Sequence, residues 1–366
     1  MDVSVKWTGK YKHNWEEACK YLTAWWNCEE TDRPLIFNPV PKPPEERKGR
    51  LISPKNPSEA ACFDLDADIR LNNTRYNFEN NLYLAEAVPG AFCNFASLLG
   101  MLCVQAGGKI DYAPDTFTAW LEEEDDLFDL PLPEPASPCR ELKFAIDMIH
   151  RNHEAFGYDA VLGANPMLDP MTTLSLMRGS SNFLMDLIER EEDVLRWLKR
   201  LGEFHSQAVV SYREARAVHD RREEYNWTGA WAPGDMDAIQ CDVCTMLSPE
   251  MFRKFAMPEM EKEAAFFDYT IWHLDGSDEF KHIDDICGIP NLHAIQYVDE
   301  KGRDISCFSD IWKKITGKGK SLLFHTKSEY ALSLTKLLGC KGLSFYLMDI
   351  DTEEKMLQFL EKLKEN

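Results

Sequence analysis

Tyr269-Thr270-Ile271-Trp272-His273-Leu274-Asp275-Gly276 is an apolar run that ends in an imidazole, a carboxylate and a glycine. In an extended strand, residues two apart leave on the same face, so His273 and Asp275 point the same way. Gly276 lets the chain turn sharply, or lets a ligand approach the backbone. The stretch Ser277-Asp278-Glu279-Phe280-Lys281-His282 then reads as a loop turning into a helix. A strand of this kind carries two titratable groups to the carboxyl edge of a sheet. The plainer alternative is a His–Asp pair that only fixes a loop.

Downstream, apolar runs alternate regularly with amphipathic ones. His293 to Val298, Ser321 to His325 and Leu343 to Met348 read as strands, and 309–316, 328–338 and 352–364 as helices. Upstream, Asp32-Arg33-Pro34 opens a short strand at Leu35 to Phe37, and further strands are expected at Tyr83 to Pro89, Tyr158 to Gly163 and Asp237 to Asp242. Arg140 to Phe156 and much of Asn182 to Glu224 read as helix, and Ser248-Pro249-Glu250 as a helix start with proline in the first turn. Leu35, Val88, Val161, Ile239, Ile271, Ile295, Leu323 and Phe345 then count as eight strand centres, which predicts an α/β chain folded as a (β/α)8 TIM barrel. Ala18, Leu22, Trp25 and Trp26 fall at helical spacing between Asn14 and Cys28. Residues 1–33 are therefore expected to form a helical N-terminal extension of a single domain spanning 1–366.

The chain has 366 residues, 44% of them hydrophobic, enough for one large core. Its net charge of −21 argues against nucleic acid and against anionic membrane surfaces as partners. No apolar run reaches the roughly 18 residues of a membrane span, and Met1-Asp2-Val3-Ser4-Val5-Lys6-Trp7 lacks a secretory pattern. Eleven cysteines, scattered and odd in number, read as reduced thiols in the cytoplasm. Cys241-Asp242-Val243-Cys244 is a lone CxxC, weak as a zinc signature, and Glu122 to Asp126 is an acidic, solvated loop.

The strand ends gather a polar set: Asn38, Glu86, Asn165, Asp242, His273 with Asp275, Gln296 with Tyr297, His325, and Tyr346 with Asp349. Burying polar groups without a shared purpose is costly. Two histidines and several carboxylates suffice for a divalent metal, zinc above all, or for metal-free acid–base chemistry. Each has a plainer use. Asp242 could cap the turn after its strand, His325 could be a core histidine bonded to backbone, and Asp349 could be a turn residue. Gln296 and Tyr297 alternate, so at most one of them faces the site. Arg178 could hold an anion or simply pair with a neighbouring carboxylate.

These residues carry a resemblance. The segments Leu168 to Gly179, Gln240 to Phe252, His273-Leu274-Asp275-Gly276 and Ala294 to Val298 resemble the uroporphyrinogen decarboxylase superfamily, over roughly residues 150 to 366. The resemblance implies a (β/α)8 barrel, shared there by porphyrinogen decarboxylases and cobalamin-dependent methyltransferases. The decarboxylases' arginine clamp on propionates is missing, because Phe37-Asn38-Pro39-Val40-Pro41-Lys42 stands at its place. In the methyltransferases zinc is held by His-x-Cys and a further cysteine; here the motif reads His273-x-Asp275, and the last strand offers Tyr346 and Asp349. Carboxylate for thiolate suits an oxygen-bearing substrate better than a thiol.

The resemblance thus implies a zinc-assisted methyltransferase or demethylase that acts on a small molecule and takes methylcobalamin from a partner corrinoid protein. His273 and Asp275 would be metal ligands, Asp242, His325 and Tyr346 catalytic groups, and Glu86, Asn165, Arg178 and Gln296 substrate contacts. A homodimer is expected by analogy. The alternative is a metal-free decarboxylase or lyase acting on a small organic acid. There Asp242 and His273 would shuttle the proton, and Arg178 or Arg75 would hold the carboxylate. A non-catalytic binding protein is the third reading.

Overall fold

The structure is a computed structural model and describes residues 7–92, 99–112, 119–134, 137–163, 167–299 and 302–364. Its strands are β1 Leu35–Ile36, β2 Val40–Pro41, β3 Asn81–Leu82, β4 Gly90–Ala91, β5 Ile110–Tyr112, β6 Ala119–Leu121, β7 Val161–Leu162, β8 Glu224–Tyr225, β9 Trp231–Ala232, β10 Met236–Ile239, β11 Tyr269–Asp275, β12 Leu292–Val298, β13 Ser321–Thr326 and β14 Leu343–Leu347. Six of them form one parallel sheet in the order β1-β14-β13-β12-β11-β10. Six of the eight expected strand centres, Leu35, Ile239, Ile271, Ile295, Leu323 and Phe345, lie in it. The chain is therefore an α/β protein with a central parallel sheet and many helices.

The first half departs from expectation. Tyr83 to Pro89 is not a strand: Ala85 turns with φ 44°, a left-handed conformation, and Pro89 has no N–H to give. The pairing falls just beyond, where β4 runs parallel to β7. Short contacts lead on from both edges of the six-stranded sheet. Ile36 carbonyl accepts the Glu86 amide at 3.2 Å, and Gly163 bridges Tyr225 in parallel. At the far edge the Glu224 carboxylate accepts the Met236 amide at 2.7 Å.

Alternation divides the sheet into two faces. On one, Ala238, Ile271, Ala294 and Leu323 share a buried cluster with Trp15, Trp25 and Trp26 of the helix Trp15–Trp26. On the other, Ile239, Trp272, Ile295 and Phe324 pack with the flanking helices. The expected N-terminal helix is thus a floor under the first face. Trp25 Nε1 donates to Leu322 carbonyl at 3.3 Å, and Trp26 Nε1 to Trp231 carbonyl at 2.8 Å. Further along the strands, the same face carries polar groups. Among the described residues no helix is long and apolar enough to cross a membrane, and the ten cysteines are all free thiols.

Candidate metal centre and its surroundings

β10 and β11 are parallel neighbours, with Ile239 opposite Trp272, so the residues just past Ile239 lie beside His273. There the chain enters a tight turn at 242–246, and Asp242 makes no capping bond within it. Instead Asp242, His273 and Asp275 each offer one ligand atom, all within 4.8 Å of one another. The three are half-buried. Asp242 Oδ1 is a buried oxygen with no hydrogen-bond partner. Burial pushes the Asp242 carboxyl up; His273 opposes the shift and Asp275 adds to it. Two carboxylates and an imidazole at this range suit a divalent cation, which would supply the missing partner and offset the like charges.

His273 is oriented from behind. Gln296 is its register partner on β12, and Gln296 Oε1 sits at hydrogen-bond distance from His273 Nδ1. With Nδ1–H donating to that amide oxygen, Nε2 keeps its lone pair for the site, as in metal centres whose second ring nitrogen is tied down. Tyr297, the alternate residue, faces away and packs against Trp312 at 4.9 Å. The edge of Trp227 closes on the His273 ring at 4.9 Å and 82°, an apolar wall beside the imidazole.

Glu279 holds the loop that follows. Its Oε1 accepts the Asp275 amide at 2.8 Å and its Oε2 the Trp272 indole at 3.2 Å. Burial pushes this carboxyl up to about 8. A raised carboxyl contributes stability that is full below its unfolded value and lost as pH rises through the folded one. The melting temperature should therefore fall between roughly pH 4.3 and 8, and Glu279→Gln should flatten that slope. An unchanged slope in thermal melts across this window would contradict the assignment.

His325 and Tyr346 stand on the next two strands and stack at 4.8 Å and 24°. His325 takes the plainer of its two readings: Nε2 lies 3.2 Å from Thr228 carbonyl, and burial lowers its pKa to about 4. It is a neutral imidazole that holds the 226–229 turn, not a cationic acid. Burial raises the Tyr346 phenol, so it keeps its proton. Tyr346 lines a cavity of about 540 Å³ shared with Tyr225, Arg70, Asn73 and Asn77. Asp242 lines another, of about 330 Å³, with Trp120, Leu168, Thr172 and Met246. Both match small molecules in size.

Two expected contacts, Glu86 and Arg178, are not brought to this centre. Glu86 is fully buried in a two-bond ion pair with Arg33, at 2.7 and 2.9 Å, and also accepts the Ile36 amide at 2.9 Å, so its oxygens are spent on the fold. Arg178 Nε pairs with Asp186 at 2.7 Å, both side chains being largely buried. Asn165 lies outside the described residues. Asp349 is a turn residue whose carboxylate accepts Ser328 N–H and O–H, each at 2.8 Å. Arg75, the other carboxylate holder considered, is exposed and lies over Phe156.

Trp227 and Glu279 were not legible as site residues. Glu279 left one signal, an acid four residues beyond Asp275; Trp227 left none, since its turn belongs to no strand of the central sheet. Asp169 was also missed. It caps the helix Pro170–Arg178 through Oδ1, while Oδ2 is a buried atom without a partner.

A parallel α/β sheet with polar groups at one edge defines a class of fold rather than a reaction. A methyltransferase from Methanosarcina mazei shares it, with a TM-score of 0.61 over 95% of this chain and 98% of that one. The two sequences are 16% identical, so the likeness is one of fold. No family model matches the chain, and no curated protein matches it in sequence.

Proposed function

We propose that this chain is an enzyme, a metal-assisted methyltransferase or demethylase acting on a small molecule with a corrinoid carried by a separate protein. Its frame would be a single (β/α)8 barrel of the uroporphyrinogen decarboxylase type, the short contacts at 36/86, 163/225 and 224/236 completing the ring. The observation that carries the reading is the convergence of Asp242, His273 and Asp275 within 4.8 Å, with one buried Asp242 oxygen left unpartnered.

Asp242, His273 and Asp275 would hold the ion, zinc being the natural choice for nitrogen and oxygen ligands. A cation bound there supplies Lewis acidity to the substrate heteroatom that bears or receives the methyl group. The chain's own residues do the rest. Gln296 fixes the His273 tautomer. Trp227 and the stacked His325–Tyr346 pair keep bulk water from the imidazole, which strengthens electrostatic interactions inside. The Tyr346 phenol, still protonated, can donate a hydrogen bond to an oxygen in its cavity.

A metal-free lyase is favoured by one observation, the raised Asp242 carboxyl facing His273, which is a workable proton-transfer pair. Of the two carboxylate holders assigned to it, Arg178 is committed to Asp186 and Arg75 lies exposed over Phe156.

The test is methyl transfer from methylcobalamin to a panel of small alcohols, phenols and thiols, followed by the cobalamin spectrum. Gln296→Leu should weaken zinc roughly 10–100-fold, and excess zinc should restore its rate. Methyl transfer indifferent to chelators, in parent and variant alike, would contradict the metal's role, and no transfer to any acceptor would contradict the reading and favour the lyase.

A further inference from the structure

A second group of ligating side chains lies on the opposite face of the sheet. Asp237 stands on β10 between Met236 and Ala238, which belong to the floor cluster, so it leaves the other way. It meets His205 of the helix Glu191–Ala217 and Glu263 of the helix Met257–Ala264. All three are buried, with exposures of 6%, 3% and 7%, and their ligand atoms lie within 4.8 Å of one another. His205 Nε2 is 3.2 Å from Glu263 Oε1. Nitrogen and oxygen ligands about 2.1 Å from a tetrahedral ion are spaced at about 3.4 Å, so the pair is near that spacing already.

Two further observations point to a missing occupant. Glu263 Oε2 is a buried oxygen with no partner. Thr270, the parallel partner of Asp237 on β11, leaves on the same face, is fully buried, and has an unpartnered hydroxyl. Native interiors seldom leave such atoms without water, proton or ion. Charge points the same way. Two carboxylates face one imidazole, and the nearby Arg216 is committed to Glu224 and Asp235, each at 2.6 Å.

We propose that His205, Asp237 and Glu263 form a second, closed divalent-cation site that ties two helices to the back of the sheet. The donor set suits zinc, and full burial makes the site structural rather than catalytic. This site is independent of the strand-end centre and stands or falls without it.

The experiment uses metal-free His273→Ala chain, in which the strand-end centre has lost its imidazole. Titrated with zinc, it should bind one equivalent and melt at a higher temperature. Adding Glu263→Gln or His205→Gln should abolish both effects while the circular dichroism of the fold is retained. No zinc binding by the His273→Ala chain, or binding that survives both added substitutions, would overturn the proposal. Cobalt(II) guards against variants that fail to fold. Bound to the His273→Ala chain, it should give paramagnetically shifted proton signals from one histidine ring. Signals from several rings would put the ion at the half-buried cluster of His150, His153 and His219, and would overturn the proposal equally.

Discussion

Trp25→Ala is expected to destabilise the chain by about 3–5 kcal/mol, the usual cost of emptying a buried aromatic site. Trp25 has no exposed surface. Its ring meets Trp26 at 4.6 Å and Phe37 at 5.3 Å, and its indole donates to Leu322 carbonyl. Truncation would leave a cavity under the first face of the sheet, next to Ile271 and Leu323 of the same cluster. It would also remove one of two side-chain donors from the Leu322 carbonyl in β13, leaving Ser344 Oγ at 2.9 Å. Those residues lie one layer below His273 and His325, so the loss would reach the strand-end centre. Urea denaturation checks the value. Trp120→Ala is the control, since Trp120 is 55% exposed and surface changes stay within about 0.5 kcal/mol. Similar midpoints for the two variants would mean that the helix Trp15–Trp26 is not the floor.

Arg33→Ala should cost a similar amount, about 3–5 kcal/mol, by stranding the buried Glu86 carboxylate without its partner. Glu86 would keep only the Ile36 amide, too little for a charge with no exposed surface. Losing Lys355, whose ion pair with Asp351 is exposed, should change stability by no more than about 1 kcal/mol. The same variant separates two roles for Glu86. If it is structural, Arg33→Ala lowers the denaturation midpoint, and the proposed activity of the folded fraction keeps its KM. If Glu86 bound substrate, KM would rise with little change in stability.

The contrast between Glu86 and His273 shows what the sequence could reveal. Both stand at the end of an apolar stretch, and nothing local distinguishes them. Glu86 finds Arg33 across 53 residues, and Arg178 finds Asp186, so two polar groups that looked available are not. His273 and Gln296 meet because β11 and β12 pair in that register, which the two strands' own letters do not state. The strands from β11 to β14 were legible because each is long, apolar and bounded by helical periodicity. The first half was less so. Its strands are two or three residues long, and the turn at Ala85 with Pro89 breaks a stretch that reads as β-forming. The hairpin of β8 and β9, which carries Trp227 in its turn, was hidden behind the end of a long helical pattern.

The central claim is that Asp242, His273 and Asp275 hold a metal. The most direct measurement is the zinc content of the purified parent beside His273→Ala and Asp242→Asn, with each chain also titrated with zinc. Each variant should carry one equivalent less than the parent at unchanged helicity. Equal zinc in all three chains, or a parent that takes up none, would contradict the claim.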